Sequence, residues 1–379
     1  MIIGLFTELA NVGGVQLAGR QTAAVLAKMG EKRGWPYVFL SLNDKTGEQQ
    51  LRTADTRFSF RGFGRRKAQF VLQAMRLAMR KPQLIFAAHP NLAATALLVK
   101  MIARNVPTIV GAHGIEIWQP LPFIRRTAFR RADFIMVPSA YTLEKAVQAQ
   151  RILPSKMHKI PWPLDTEFLA LCESPADLPL PMSFPHGTVV LSVGRWSALD
   201  RYKGADILIR AVAQISNNFP ELQLVLAGPG DDINRLRKEA QDSGVAERVH
   251  FFPSISRREL AALYSSAGIF ALPSTGEGFG LVFLEAMAFG KAIVGANVGG
   301  IPDVVHHERE GLLVAPTVEA VSSALRRLLS DPVLCNEMGV RGQERVRTEF
   351  SFARFQEQLG SVIDLLLGKN QEPNKSGIA

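Results

Sequence analysis

Two glutamates eight positions apart, in Glu277-Gly-Phe-Gly-Leu-Val-Phe-Leu-Glu285, flank a glycine-rich turn that opens an apolar helical stretch. Backbone N–H groups left unpaired at a helix N-terminus, with the helix dipole behind them, bind anions, and glycines let a ligand approach the backbone closely. Phe279, Gly280 and Leu281 are the residues placed to supply those donors. Eight helical residues rise about 12 Å, a little over two turns, so both carboxylates can face one groove near opposite ends of an extended ligand. A carboxylate accepts two hydroxyl hydrogens. The pattern therefore suits a ligand with a diphosphate in the middle and hydroxyls at both ends, such as a nucleoside diphosphate sugar, with Glu277 on the sugar and Glu285 on the ribose.

The residues around this stretch give it a setting. Gly268-Ile-Phe-Ala-Leu-Pro-Ser274 has the β-rich look of a buried strand, and Phe283, Leu284, Met287 and Ala288 keep helical spacing, so the order is strand, loop, helix. A second strand-to-helix loop carries Val193-Gly194-Arg195 and Lys203-Gly204, between a strand pattern at Thr188–Val193 and a helix pattern at Ala205–Val212. An arginine fork and a lysine point charge converging at a strand's carboxyl end can neutralise a diphosphate and stabilise it as it leaves.

Strands and helices alternate along the rest of the chain, which predicts parallel sheets covered by helices on both faces. Strands are expected at 2–6, 37–42, 84–88, 108–112 and 134–137, and again at 188–193, 222–227, 249–252, 269–272, 292–296 and 312–314. The proline-rich, aperiodic segment 173–187 reads as a linker. The expected organisation is a first domain at 1–172, a second at 188–350, a last amphipathic helix at 351–367 and a frayed tail at 368–379. At 379 residues, 47% hydrophobic and 21% charged, the chain is long enough for two cores and too apolar for disorder. Its two cysteines, Cys172 and Cys335, lack metal or disulfide-scaffold spacing, which fits a reducing compartment. The N-terminus begins directly as a strand without a secretory signal, and no stretch has the length and apolarity of a transmembrane helix. His306 and His307 are adjacent with no third ligand, and no Asp-x-Asp stands in a suitable place, so no metal site is expected.

Together the Glu277…Glu285 element and the upstream Gly194-Arg195…Lys203-Gly204 resemble the retaining glycosyltransferases of family four, which have the GT-B fold. Gly13-Gly14 after the first strand, His113-Gly-Ile-Glu-Ile-Trp118 after another, and Gly299-Gly300-Ile-Pro302 extend the resemblance over nearly the whole chain. It implies two Rossmann-like domains facing a central cleft, with the last helix crossing back to the first domain. It also implies that Gly13 and Gly14 approach the donor phosphates, that His113 faces the transferred sugar, and that Arg195 and Lys203 bind the diphosphate in place of a metal ion. Three departures stand out. The family's common Ile-Pro-Asn-Gly-Val-Asp reads Ile160-Pro-Trp-Pro-Leu-Asp165 here; Asp303 replaces the usual Glu; and the base-side loop around Ile255 ends in Arg257 and Arg258 where guanine-binding relatives carry an acid. Ile255 is taken as a donor-binding position, with UDP- and GDP-sugars both open.

The net charge of +10 is concentrated. From Thr56 to Ile115 there is no acidic residue, and ten basic ones stand between Arg57 and Arg104. Within this window a helix at 65–80 is expected to bury Ala68, Val71, Leu72, Met75 and Met79, leaving Phe70 and Leu77 outward beside Arg66, Arg76 and Arg80. Phe58, Phe60 and Phe63 alternate with Arg57 and Arg61 just upstream, and Arg125, Arg126, Arg130 and Arg131 form a second cluster. Exposed aromatics beside arginines suit an anionic membrane surface, where each basic residue contributes about 1 kcal/mol, and this reading is preferred to a basic face that is merely solvated or that steers the anionic donor. Nucleic acid is disfavoured because no recognition motif is present.

The expectation is a cytoplasmic glycosyltransferase, peripheral on the membrane face through segment 57–81. It would move a sugar from a nucleotide sugar to a lipid-linked or envelope glycan acceptor with retention, and it needs no cofactor beyond the donor substrate. A nucleotide-sugar epimerase or hydrolase of the same architecture is the alternative. A dinucleotide oxidoreductase is disfavoured because Asn11-Val-Gly-Gly14 stands where Gly-x-Gly-x-x-Gly would follow the first strand.

Overall fold

Buried, β-branched runs punctuated by Gly-rich loops build two separate parallel sheets in the computed structural model, which describes residues 1–11, 13–53, 56–104 and 106–369. The chain divides into two compact units, Met1–Thr166 with the chain from Ser351 on, and Glu167–Phe350. The frayed tail expected at 368–379 lies, from residue 370, outside the described residues.

The first unit holds strands β1 (Ile2–Phe6), β2 (Tyr37–Ser41), β3 (Gly47–Arg52), β4 (Arg57–Gly62), β5 (Leu84–Ala87), β6 (Thr108–Gly111), β7 (Phe134–Val137) and β8 (Met157–Lys159), in the order β3-β4-β2-β1-β5-β6-β7-β8. The order reverses between β1 and β5, the point at which an open parallel sheet offers a ligand crevice. β3, β4 and β8 were not among the expected strands. β3 and β4 pair antiparallel, with Gly47 opposite Gly62, so this sheet is parallel everywhere except at that edge. The last helix, Phe352–Lys369, buries Phe352, Phe355, Leu359 and Ile363 in this unit, and Asp364 pairs with Arg33.

The second unit holds β9 (Thr188–Val193), β10 (Leu222–Ala227), β11 (Val249–Phe252), β12 (Ile269–Leu272), β13 (Ala292–Ala296) and β14 (Gly311–Val314), all parallel, in the order β11-β10-β9-β12-β13-β14. Here the reversal falls between β9 and β12. Those two strands carry the Gly-Arg loop and the Glu277 loop at their carboxyl ends.

One expectation is overturned. The basic helix spans Lys67–Ala78 and buries Phe70, Ala74, Leu77 and Ala78, whereas Leu72 and Met79 are 49% and 69% exposed. Phe58 and Phe60 are also buried, because the alternation of β4 turns them inward and Arg57 and Arg61 outward, and Phe63, just past the strand, is buried against the helix. The helix carries two apolar stripes of similar period. The one holding Phe70 and Leu77 removes more area from water, and its small partners Ala74 and Ala78 let the helix approach the sheet closely. Phe70 meets Phe63 edge to face at 5.4 Å between ring centroids. The aromatic half of the membrane pattern assigned to segment 57–81 is therefore core.

Truncating Phe70 to alanine should cost about 3–5 kcal/mol of unfolding free energy, while Leu72→Ser should stay within about 0.5 kcal/mol. Denaturant titrations of the two variants against the native chain measure the difference; equal effects would restore the opposite face as core.

Candidate active site

In the second unit the loops after β9 and β12 are bound to each other. Thr275 N donates to the Tyr202 carbonyl at 2.7 Å, and Gly204 turns with φ +70° where a Cβ would stand 2.6 Å from the Pro273 carbonyl. Only glycine fits both the turn and that approach. The result is that Lys203 Nζ lies 2.7 Å from Glu277 Oε1, with the two side chains 14% and 13% exposed. The Glu277 backbone is gripped from β13: Gly300 N donates to its carbonyl at 2.8 Å, and a Cβ at Gly299 (φ +62°) would stand 2.5 Å from that carbonyl oxygen. The Gly299-Gly300 pair thus fixes Glu277 from behind.

Lys203 and Glu277, 74 residues apart, meet as the sequence predicts, but as partners of each other. Burial works against the ammonium, yet Glu277, Tyr202 and Asp200 together outweigh it and hold Lys203 above its ordinary range. Arg195 is likewise engaged. Its Nε and Nη2 donate to Asp200 at 2.5 and 3.0 Å, and the Ser197 hydroxyl donates to the same carboxylate. Arg195 holds the Asp200 carboxyl below the usual range. With 69% of its side chain exposed, Arg195 remains open to an incoming anion.

The helix Leu281–Ala288 starts at Gly280 with no side-chain cap, so no side chain takes the backbone N–H groups of its first turn. The Phe279 side chain is buried against Phe350 at 5.9 Å, so that residue contributes only backbone. Glu285, one turn on, meets a residue the sequence reading missed: Tyr264 Oη donates to Glu285 Oε2 at 2.9 Å. Burial pushes the Glu285 carboxyl up to about 7, against the opposing pull of the Tyr264 hydroxyl and the Arg257 charge. Ile255 is half-buried in the loop after β11, just ahead of Ser256, which caps the helix Arg257–Ser266 reciprocally with Glu259.

The first unit holds the remaining predicted residues. Gly13 caps the helix Gly14–Arg33 directly after β1, again without a side-chain cap. His113 follows β6. Its Nε2 lies 2.8 Å from the Ala88 carbonyl, its backbone N–H donates to Glu116 at 2.5 Å, and its ring stacks on His89 and Trp162. Burial lowers the affinity of His113 for a proton, against the opposing effects of Glu116 and the Ala88 carbonyl, and takes His89 down to about 4. Asp200, Tyr264 and Trp162 escaped sequence reasoning. Asp200 alone carried a local signal, five residues after Arg195 in the same loop.

Two open, largely parallel sheets, each followed at its reversal point by a helix without a side-chain cap, define a doubly wound α/β protein of two Rossmann-like domains. Residues 13–168 match the model of the Glycosyltransferase Family 4 domain and residues 184–345 that of glycosyl transferases group 1. The chain is 33% identical to the GDP-mannose-dependent alpha-(1-6)-phosphatidylinositol monomannoside mannosyltransferase of Mycolicibacterium smegmatis, over 64% of this chain and 65% of that protein, a little under two thirds of its length. It is 31% identical to the protein of the same name from Mycobacterium tuberculosis H37Rv, over 69% of each. Among solved structures, sucrose-phosphate synthase from Thermosynechococcus elongatus superposes with a TM-score of 0.75 at 25% identity, covering 97% of this chain and 99% of that one. The chain belongs to the family-4 glycosyltransferases, with the GT-B architecture of two Rossmann-like domains.

Because the folded state holds the Glu285 proton to about pH 7 and the unfolded chain releases it near 4.3, stability attached to this group is full below pH 4 and falls as pH rises to 7. Glu285→Gln should remove that loss, on the order of 1–3 kcal/mol. The check is the native-minus-variant difference in denaturant midpoint at pH 5 and at pH 8; an unchanged difference would contradict the raised carboxyl.

Proposed function

We propose that the protein transfers a hexose from a nucleoside diphosphate sugar to the hydroxyl of a lipid-linked acceptor, with retention at the anomeric carbon. The observation that carries this reading is the Lys203–Glu277 pair beside the uncapped start of Leu281–Ala288. A diphosphate entering there takes Lys203, releases the Glu277 carboxylate to the sugar hydroxyls, and meets Arg195 and the helix N–H groups at its oxygens. Charge grows on the diphosphate as the glycosidic bond breaks, so these groups stabilise the transition state more than the bound donor. Glu285 accepts the ribose hydroxyls when ionised. No carboxylate stands out as a nucleophile in the sequence or at this site, which favours front-face attack by the acceptor oxygen with the leaving phosphate taking its proton.

GDP-mannose comes first among donors because the mycobacterial relatives are named for it, and their phosphatidylinositol monomannoside acceptor supports a lipid-linked one here. UDP-sugars stay in the comparison because the loop ending in Arg257 and Arg258 is basic. Release of nucleotide should require acceptor lipid and fall roughly 10²–10³-fold in Lys203→Ala and Glu277→Ala. A release assay over GDP- and UDP-sugars, with and without lipid extract, decides. Release without acceptor would favour a hydrolase, and failure to bind any nucleotide sugar would remove the reading altogether.

The membrane reading moves to other residues. Helices Lys67–Ala78, Ala93–Ala103 and Phe123–Arg130 neighbour one another on one side of the first sheet. Their outer layer leaves Phe123 and Ile124 75% and 74% exposed, next to Arg125 and Arg126. Met101 and Met79, on the neighbouring helices, are 63% and 69% exposed. Binding to vesicles containing anionic phospholipid should weaken with salt and drop roughly tenfold or more in Phe123→Asn/Ile124→Asn. Flotation with anionic and zwitterionic vesicles measures it; equal binding by the double variant would exclude this surface.

A further inference from the structure

Ile160-Pro-Trp-Pro-Leu-Asp165, the segment that departs from the family pattern, folds back against His113. The Trp162 ring is 4% exposed, lies 5.1 Å from the His113 ring at 22°, and is backed by Phe355 of the last helix at 5.8 Å. His89 stacks on His113 as well, at 5.8 Å and 27°. A backbone carbonyl only accepts, so the 2.8 Å contact with Ala88 places a hydrogen on Nε2 of His113. In a neutral ring Nδ1 is then an acceptor.

We propose that Trp162 is a positioning residue for His113: its indole covers the imidazole, fixes the plane in which Nε2–H meets the Ala88 carbonyl, and leaves Nδ1 as the ring atom that meets a ligand, as an acceptor. The charged and titratable groups around the ring are His89, Glu116 and, beyond His89, Arg125, which donates to Asn91. Glu116 favours a proton on His113 and burial opposes it; burial wins. Trp162, from the segment after β8, covers one face of the ring. An acceptor atom matches a sugar hydroxyl and repels a carboxylate, so the consequence for the donor is a hexose rather than a uronic acid. This consequence rests on the reading of His113 as the residue facing the transferred sugar.

The test uses the full chain and the variants Trp162→Ala, Trp162→Phe and His113→Ala. Imidazole Cε1–H resonances, with His113 assigned by its loss in His113→Ala, give the titration midpoint without any substrate. The native midpoint should lie below the ordinary imidazole value of about 6.5, rise toward it in Trp162→Ala, and stay low in Trp162→Phe. In turnover, the acidic limb of kcat/KM should move to higher pH in Trp162→Ala alone, because protonation of Nδ1 destroys the acceptor. An unmoved midpoint in Trp162→Ala, or activity lowered equally at every pH, would overturn the proposal. Full activity of His113→Ala alongside the expected midpoint shift would uphold Trp162's hold on the ring and remove instead the reading of His113 as sugar-facing.

Discussion

The ion pair between Lys203 and Glu277 is the constraint around which the second unit is arranged. Two nearly buried, opposite charges 2.7 Å apart are tolerable only because each neutralises the other, since breaking such a pair strands a charge out of water. The local structure holds them there: Gly204 turns tightly against Pro273, the Tyr202 carbonyl ties the two loops, and Gly299-Gly300 grips the Glu277 backbone. In the function proposed above, a diphosphate competes with a carboxylate for this lysine, and with Asp200 for Arg195. Such competition weakens ground-state binding and leaves more of the electrostatic stabilisation for the moment when charge has moved onto the leaving group.

The same physical cause sets the two other titratable groups of interest in opposite directions. Removing a group from water favours its neutral form, so burial raises the Glu285 carboxyl to about 7 and lowers His113. Neither shift comes from a conspicuous charge. Tyr264, which stacks on Phe289 at 5.9 Å, donates its hydroxyl to Glu285, and Trp162 stacks on His113.

The outer helices of the first unit show how charge and packing part company. The long window without acidic residues remains a basic surface, yet the phenylalanines that alternate with its arginines are core, its exposed apolar residues are others such as Met79 and Met101, and Phe123 and Ile124, more exposed still, lie outside it. Arginines stay in water wherever the helix turns its apolar side, so their positions say little about which of two apolar stripes is buried.

Alternating buried runs and Gly-rich loops were enough to place eleven strands and the strand-loop-helix order at Gly194 and Glu277, because burial on both faces of a parallel sheet leaves a continuous apolar signature. The cations and carboxylates were legible too, as charges at strand ends where apolar residues would otherwise continue. Sequence by itself could not supply the partners: Asp200 for Arg195, Tyr264 for Glu285, Trp162 for His113, and Glu277 for Lys203 as an ion pair across 74 residues. Such pairings depend on distances between separate elements, and periodicity within one element carries none of that information. The choice between the two stripes of Lys67–Ala78 and the antiparallel edge of β3 and β4 were likewise decided by what the rest of the fold left to be covered.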